Sequence, residues 1–351
     1  MERIWIKDYP LRDLEDWVES IGERRFRARQ LFRHLYLRGI DSWDACSDLS
    51  KSFRTQLEYA TRLDALTITA REAAEDGTVK YLFTLSDGRR IESVLIPDPP
   101  RQTLCVSSQV GCALGCRFCL TGSLGFQRHL STAEIVDQVC QVQRDRGGKG
   151  AVTNLVFMGM GEPLANLDAV LKALEILLDP NGAAFSHRRI TVSTVGLVPA
   201  MERLGRVSPV NLAISLHAPE DSLRSDLMPV NRSYPLAQLL AACRAYPIPP
   251  RKRITFEYIL LRGVNDDPAR ARQLVRLLEG IRAKVNLIPF NPHPDLPFTA
   301  PEEAAVLEFQ AILKNANLTA TIRKSRGADI RAACGQLAAR YPGGAAGGAG
   351  C

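Results

Sequence analysis

The chain has 351 residues, 46% of them hydrophobic and 24% charged, with a formal net charge of +7 and a pI near 9. These values exclude a fibrous or intrinsically disordered chain and leave room for one large domain plus a smaller one or two. The longest apolar runs, such as 239–243, fall far short of the ~20 residues a membrane helix needs. The start Met1-Glu2-Arg3-Ile4-Trp5 lacks a secretory apolar region, and nine cysteines, an odd number, argue against a disulfide framework. A cytoplasmic protein with reduced thiols and no membrane partner is expected.

Residues 13–61 read as helical, with Phe26, Leu31, Phe32, Leu35 and Tyr36 at helical spacing. Between Gly22 and Arg38 stand Arg24, Arg25, Arg27, Arg29, Arg33 and Arg38 against a single acid, Glu23. Such a segment is either a solvated face or a surface for nucleic-acid phosphates, and its place ahead of a larger domain favours the second. Segment 1–62 is therefore expected to be a basic helical accessory domain and a candidate RNA contact.

From 63 to 100 the period changes to two, and Asp87-Gly88 between alternating runs signals a β-hairpin extension. On its second strand Ile91, Ser93 and Leu95 share one face, and Glu92, Val94 and Ile96 the other. Glu92 is either an exposed edge carboxylate or a partly desolvated one able to act as a base.

From 101 to 340 strands and helices alternate. Strands are expected at 103–107, 154–158, 188–193, 210–216, 254–261, 284–288 and 319–323. Helices are expected at 131–146, opened by the capping box Ser131-Thr132-Ala133-Glu134, and at 167–178, 268–279 and 301–314. This alternation means a parallel sheet in an α/β fold, a partial (β/α)6-type barrel with functional residues at the C-terminal strand ends. The Gly/Ala-rich tail 341–351 is expected to be disordered.

After the first barrel strand comes Cys112-Ala113-Leu114-Gly115-Cys116-Arg117-Phe118-Cys119. Three thiolates in eight residues suit a soft metal centre. A [4Fe–4S] cluster normally takes four cysteines, so three leave one iron open to a small molecule. A structural zinc site would want a fourth N/S ligand, for which Cys105 is the nearest candidate. The other strand ends carry Gly159-Met160-Gly161-Glu162-Pro163-Leu164, Ser193-Thr194-Val195-Gly196, Ser215-Leu216-His217 and Pro289-Phe290-Asn291-Pro292. Each taken alone is an ordinary cap or turn; together they put small polar groups on one rim.

The three-cysteine spacing is the pattern of radical S-adenosylmethionine (SAM) enzymes. Combined with the run 105–112, Gly159-Met160-Gly161-Glu162-Pro163-Leu164, Ser215-Leu216-His217-Ala218-Pro219 and the segment 326–337, it resembles the RlmN/Cfr family of radical SAM RNA methyltransferases over residues 10–340. The resemblance implies a radical SAM barrel with an N-terminal accessory domain. It implies a [4Fe–4S] cluster on Cys112, Cys116 and Cys119, and SAM contacts at Gly161, Glu162, Ser193, Ser215, Leu216, His217 and Asn291. Cys334 falls on the family's methyl-carrying cysteine, Cys105 on its resolving cysteine and Glu92 on its proton acceptor.

The implied reaction uses two SAM molecules per turnover. One methylates Cys334; the other is cleaved to a radical that takes hydrogen from the S-methyl group, whose carbon then adds to adenine. Glu92 would take the proton and Cys105 would attack Cys334, leaving a disulfide for an external thiol reductant; an external electron donor is also implied. The expected substrates are 23S rRNA at the peptidyl-transferase centre and tRNA beside the anticodon, methylated at adenine C2 by a monomer. The alternatives are a Cfr-type C8 enzyme and a zinc-stabilised RNA-binding protein. Cys46, Cys140 and Cys243 read as structural.

Overall fold

In the computed structural model, which describes residues 3–337, the N-terminal module is three short helices where the periodicity suggests one helical run; the tail 341–351 lies outside the described residues. After β1 (Ile4–Trp5) come α1 (Leu11–Ser20), α2 (Phe26–Arg33), which continues as a π turn over His34–Arg38, α3 (Lys51–Ala60) and β2 (Thr61–Arg62), parallel to β1. The chain breaks where it holds Gly22 at φ +85° and Gly39 at φ +64°, conformations that cost glycine little. Ser50 then caps α3 by accepting from Phe53 N.

The arginines in and just before α2 divide into two sets. Arg25 pairs with Glu15 and Asp16 of α1, each at 3.0 Å, and Arg29 pairs with Glu15 at 3.0 Å. Arg27 is turned to Gln30 and the carbonyl of Asp48. Arg24 and Arg33 are exposed, and among the described residues nothing pairs with them.

Residues 66–105 form four successive antiparallel strands, β3 (Leu66–Ala73), β4 (Val79–Leu85), β5 (Arg90–Asp98) and β6 (Arg101–Cys105). The β4–β5 turn is the Ser86-Asp87-Gly88 one, with Gly88 at φ +82°. The extension is continuous with the barrel, because β6 also pairs in parallel with the next barrel strand within a single ten-stranded sheet. Since β5 lies between β4 and β6, Glu92 is an interior residue, 2% exposed, and not an edge one.

A two-stranded hairpin follows, β7 (Gln109–Gly111) and β8 (Phe126–His129), enclosing α4 (Leu120–Ser123). The alternating region then runs α5 (Thr132–Asp145), β9 (Asn154–Phe157), α6 (Leu167–Leu178), β10 (Ile190–Thr194), α7 (Val198–Val207) and β11 (Asn211–Ser215). It continues through α8 (Asp221–Leu227), α9 (Leu236–Ala245), β12 (Ile254–Leu260), α10 (Pro268–Leu277), β13 (Ala283–Pro289), α11 (Glu303–Asn315) and β14 (Thr319–Ile322). Strands β6 and β9 to β14 are all parallel in sequence order, one more than six βα repeats would supply, and β3 and β14 are the sheet's open edges.

All seven residues of β12 are buried, as expected for a parallel strand covered on both faces. Helices α7, α8 and α9 went unread in the sequence. Pro199 and Pro235 sit at or beside the starts of α7 and α9, where proline is a good helix entry but also reads as a turn signal. Asp8 couples the N-terminal module to the barrel by accepting from Ala133 N at the start of α5 (2.6 Å). Among the described residues no helix is long and apolar enough to cross a membrane.

Candidate active site

The β7–β8 hairpin carries the three-cysteine loop to the mouth of the sheet. Its neck is closed too tightly for a side chain: a Cβ on Gly111 would stand 1.8 Å from Gly125 O. Cys112 N donates to Gly125 O (3.0 Å), Cys119 N to Cys116 O (3.1 Å) and Arg117 N to Leu227 O (3.0 Å), so the loop is held by backbone bonds at both ends. Cys112, Cys116 and Cys119 are half-buried, reduced and turned into one cleft of about 900 Å³.

The strand ends form the opposite wall, with Gly161, Glu162, Ser193, Ser215 and His217 lining the same cleft. Gly161 has φ +95°, and a Cβ there would meet Gln109 Cβ at 2.4 Å. Gln109 Oε1 in turn accepts from Glu162 N (2.8 Å). The Glu162 carboxylate accepts from Leu164 N and Val195 N, each at 3.0 Å, and burial raises its pKa to about 7. His217, at φ +60°, accepts from Ile259 N through Nδ1 (3.0 Å) and packs edge-on against Phe118 of the cysteine loop. Burial, with Arg224 nearby, lowers its pKa to about 3 and keeps it neutral.

Cys334 meets the cysteine loop from the far end of the chain. Leu120 N donates to Gly335 O (2.8 Å) and Thr121 Oγ1 to Leu337 O (2.7 Å), which pins the segment onto α4. Cys334 lines the main cleft and also a smaller one of about 380 Å³ with Ile96, Asn291, Lys324 and Arg326. Cys105, at the end of β6, is buried, and burial pushes its thiol up to about 12, with Cys334 adding to the rise. Arg323 sits within electrostatic reach of both sulfurs. Both are free thiols.

Glu92 approaches this segment through Lys80, whose Nζ lies 3.8 Å from the Glu92 carboxylate and donates to Ile330 O (2.6 Å). Two residues from the resemblance stand apart from the main cleft. Leu216 is fully buried, its N–H donating to Glu257 O and its carbonyl accepting from Arg224. Asn291 belongs to the smaller cleft, where it accepts from Ser325 Oγ.

Sequence reading passed over Arg224 and Glu257. Arg224 is wholly buried and bonds to the carbonyls of Val195, Ser215 and Leu216 and to Asn231, tying the strand-end loops together. No local pattern marks it. Glu257 could have been noticed as a lone acid in the apolar strand 254–260.

The donor set fits an iron–sulfur cluster. Burial raises all three thiols, Cys112 to about 11, so an attached cation is what would hold them as thiolates. Among the described residues no three Cys, His, Asp or Glu side chains group closely enough for one metal ion. A cubane takes one thiolate per iron, so three cysteines facing one cleft supply three of its four irons.

Residues 5–63 match the family model of a ribosomal RNA large subunit methyltransferase N-terminal domain, and 106–275 match that of the radical SAM superfamily. A protein of Syntrophobacter fumaroxidans named dual-specificity RNA methyltransferase RlmN is 68% identical over 97% of this chain and 100% of its own length. A Geobacter sulfurreducens protein of the same name is 55% identical over 95% of this chain and 91% of its own. The crystal structure of a radical SAM methyltransferase from Sphaerobacter thermophilus superposes with a TM-score of 0.92 at 46% identity, covering 96% of this chain and 100% of that one.

Proposed function

The chain belongs to the RlmN family of radical SAM RNA methyltransferases, and from that membership we propose that it methylates C2 of adenine in 23S rRNA, at the peptidyl-transferase centre, and in tRNA beside the anticodon. The observation that carries the reading is the meeting of Cys334 with the three-cysteine loop in one cleft. Adenine C2 is an electron-poor amidine carbon, so it cannot attack the methyl group of SAM directly. A cysteine sulfur can.

Cys112, Cys116 and Cys119 are the cluster ligands in this reading. Gly161, Glu162, Ser193, Ser215 and His217 line the SAM pocket, with the bonds of Glu162 and His217 to backbone N–H groups keeping it preformed, while Leu216 supports that wall from behind through its backbone and Asn291 reaches SAM from the smaller cleft beside it. When bound, the [4Fe–4S] cluster and SAM supply the one-electron chemistry that removes a hydrogen atom from an S-methyl group. Cys334 carries that methyl group, and its carbon joins protein to base.

Glu92 then takes the proton from the former C–H carbon as the unpaired electron of the adduct passes to a one-electron acceptor. The Cys105 thiolate attacks the Cys334 sulfur, the S–CH₂ bond breaks with its electron pair on the methylene carbon, that carbon takes a proton to become the methyl group, and methylated RNA leaves with a Cys105–Cys334 disulfide behind. An external thiol reduces that disulfide, and an external one-electron donor serves the cluster. The protein acts as a monomer in a reducing cytoplasm, with the basic N-terminal module (1–62), joined through the extension 63–100 to the barrel (101–340), meeting RNA phosphates.

The test is anaerobic reaction with each RNA followed by mass spectrometry of its nucleosides. The expected product is 2-methyladenosine; 8-methyladenosine would overturn the C2 assignment.

A further inference from the structure

Before Cys334 can carry a methyl group, its thiol proton must go somewhere, and the cleft is closed to most acceptors. Both Glu162 oxygens already accept backbone N–H groups. His217 uses Nδ1 to accept from Ile259, so in the neutral ring Nε2 holds the proton and cannot take another. Cys105 is a buried thiol.

Glu257 differs from all three. It lies 4% exposed on β12 and lines the cleft with Cys334. On one side it is in register with Ser215 of β11, on the other with Asn286 of β13, which is itself opposite Thr321 of β14. Thr321 Oγ1 donates to Asn286 Oδ1 (2.6 Å) and Asn286 Nδ2 to Glu257 Oε1 (3.0 Å), so the carboxylate is oriented across the rung. Its other oxygen, Oε2, is buried and meets no donor among the described residues. The charged groups facing it are Arg323, beyond the end of β14, and Lys284 on β13.

We propose that Glu257 accepts the Cys334 thiol proton when Cys334 takes its methyl group from SAM. The inference rests on the reading of Cys334 as the methyl carrier. The S–H bond breaks towards Glu257 Oε2, the Cys334 sulfur forms the new S–CH₃ bond, and the methyl–sulfonium bond breaks with its electron pair on the departing thioether. Sulfonium, thiol and carboxylate become two thioethers and a carboxylic acid, so no net charge is created in a low-dielectric cleft. Burial raises the Glu257 pKa, which strengthens it as a base. Arg323, in electrostatic reach of Glu257 and Cys334, faces the sulfur as its charge grows.

The experiment incubates cluster-loaded enzyme with SAM and no reductant, and follows methyl gain on Cys334 by peptide mass spectrometry across pH, with SAM affinity by equilibrium dialysis. Glu257→Gln should slow methyl gain at neutral pH by about 10²–10⁴-fold, the usual worth of a positioned base, with recovery towards alkaline pH and unchanged SAM affinity. Asn286→Ala, which keeps the carboxylate but not its orientation, should slow it less, again at unchanged affinity. Wild-type rates in both variants, or affinity falling in step with rate, would overturn the proposal. No methyl on Cys334 of the wild-type enzyme would instead sink the carrier reading on which it rests.

Discussion

Lys7, in the turn after β1, ion-pairs with Asp137 in the middle of α5, and both side chains are shut away from water at 1% and 0% exposure. Lys7 also reaches Asp64 at 2.8 Å, while the second Asp137 oxygen accepts from Ala65 N (2.8 Å) and Leu66 N (3.0 Å) at the start of β3. One carboxylate thus joins the N-terminal module, the antiparallel extension and the barrel. Burial alone would strip the ammonium of its proton, but Asp137 and Asp64 outweigh it and hold the Lys7 pKa above its usual value.

Removing one partner of such a pair strands the other. Lys7→Met should cost about 3–5 kcal/mol of stability, read as a lower urea midpoint, because Asp137 is left buried without the cation that offsets its burial. Replacing both, as Lys7→Met with Asp137→Asn, should recover part of the loss.

The two sulfurs proposed to act in catalysis should fail differently. Cys334→Ala is expected to abolish RNA methylation while the cluster absorption persists, since the three proposed ligand cysteines lie elsewhere. Cys105→Ala should let the adduct form but not resolve, giving an RNA-bound protein band on a denaturing gel. Absence of that band under conditions where wild type turns over would count against the resolving role.

His217 gives a pH dependence whose sign can be worked out. Its folded pKa is lowered to about 3 from 6.5. The unfolded chain therefore binds the extra proton first, and stability is lost as pH falls from about 6.5 towards 3, on the order of a few kcal/mol in total. In cluster-free protein, where loss of iron cannot contribute, His217→Gln should flatten that acid limb in urea titrations.

The arginines in and just before α2 divide into a free set and a set paired with acids of α1. Arg24→Ala with Arg33→Ala should weaken RNA binding and make log affinity fall less steeply with log salt, by about one in slope for each phosphate left without its arginine. Arg25→Ala with Arg29→Ala removes pairs already made to α1 acids and should change that slope less. Equal slopes for the two double variants would show that this face does not meet RNA.

Sequence by itself determined what depends on near neighbours. The 3.6 and 2.0 residue periods located most strands and helices, Ser131 and Glu134 form both halves of their capping box, and three cysteines within eight residues have no choice but to share a loop. Resemblance across separated motifs added the family. Only the tertiary structure decided which distant groups lose their water and whom they meet. Glu92 reads as an exposed edge carboxylate or a partly desolvated one until β6 is seen covering its strand. Arg25 and Arg29 read as free charge until α1 brings its acids alongside. Glu257 reads as one acid in an apolar strand until the order β11-β12-β13-β14 aligns it with Asn286 and leaves one oxygen bare. Periodicity reports which face a residue takes; strand order and burial, which arise from the whole chain's packing, decide what that face finds there.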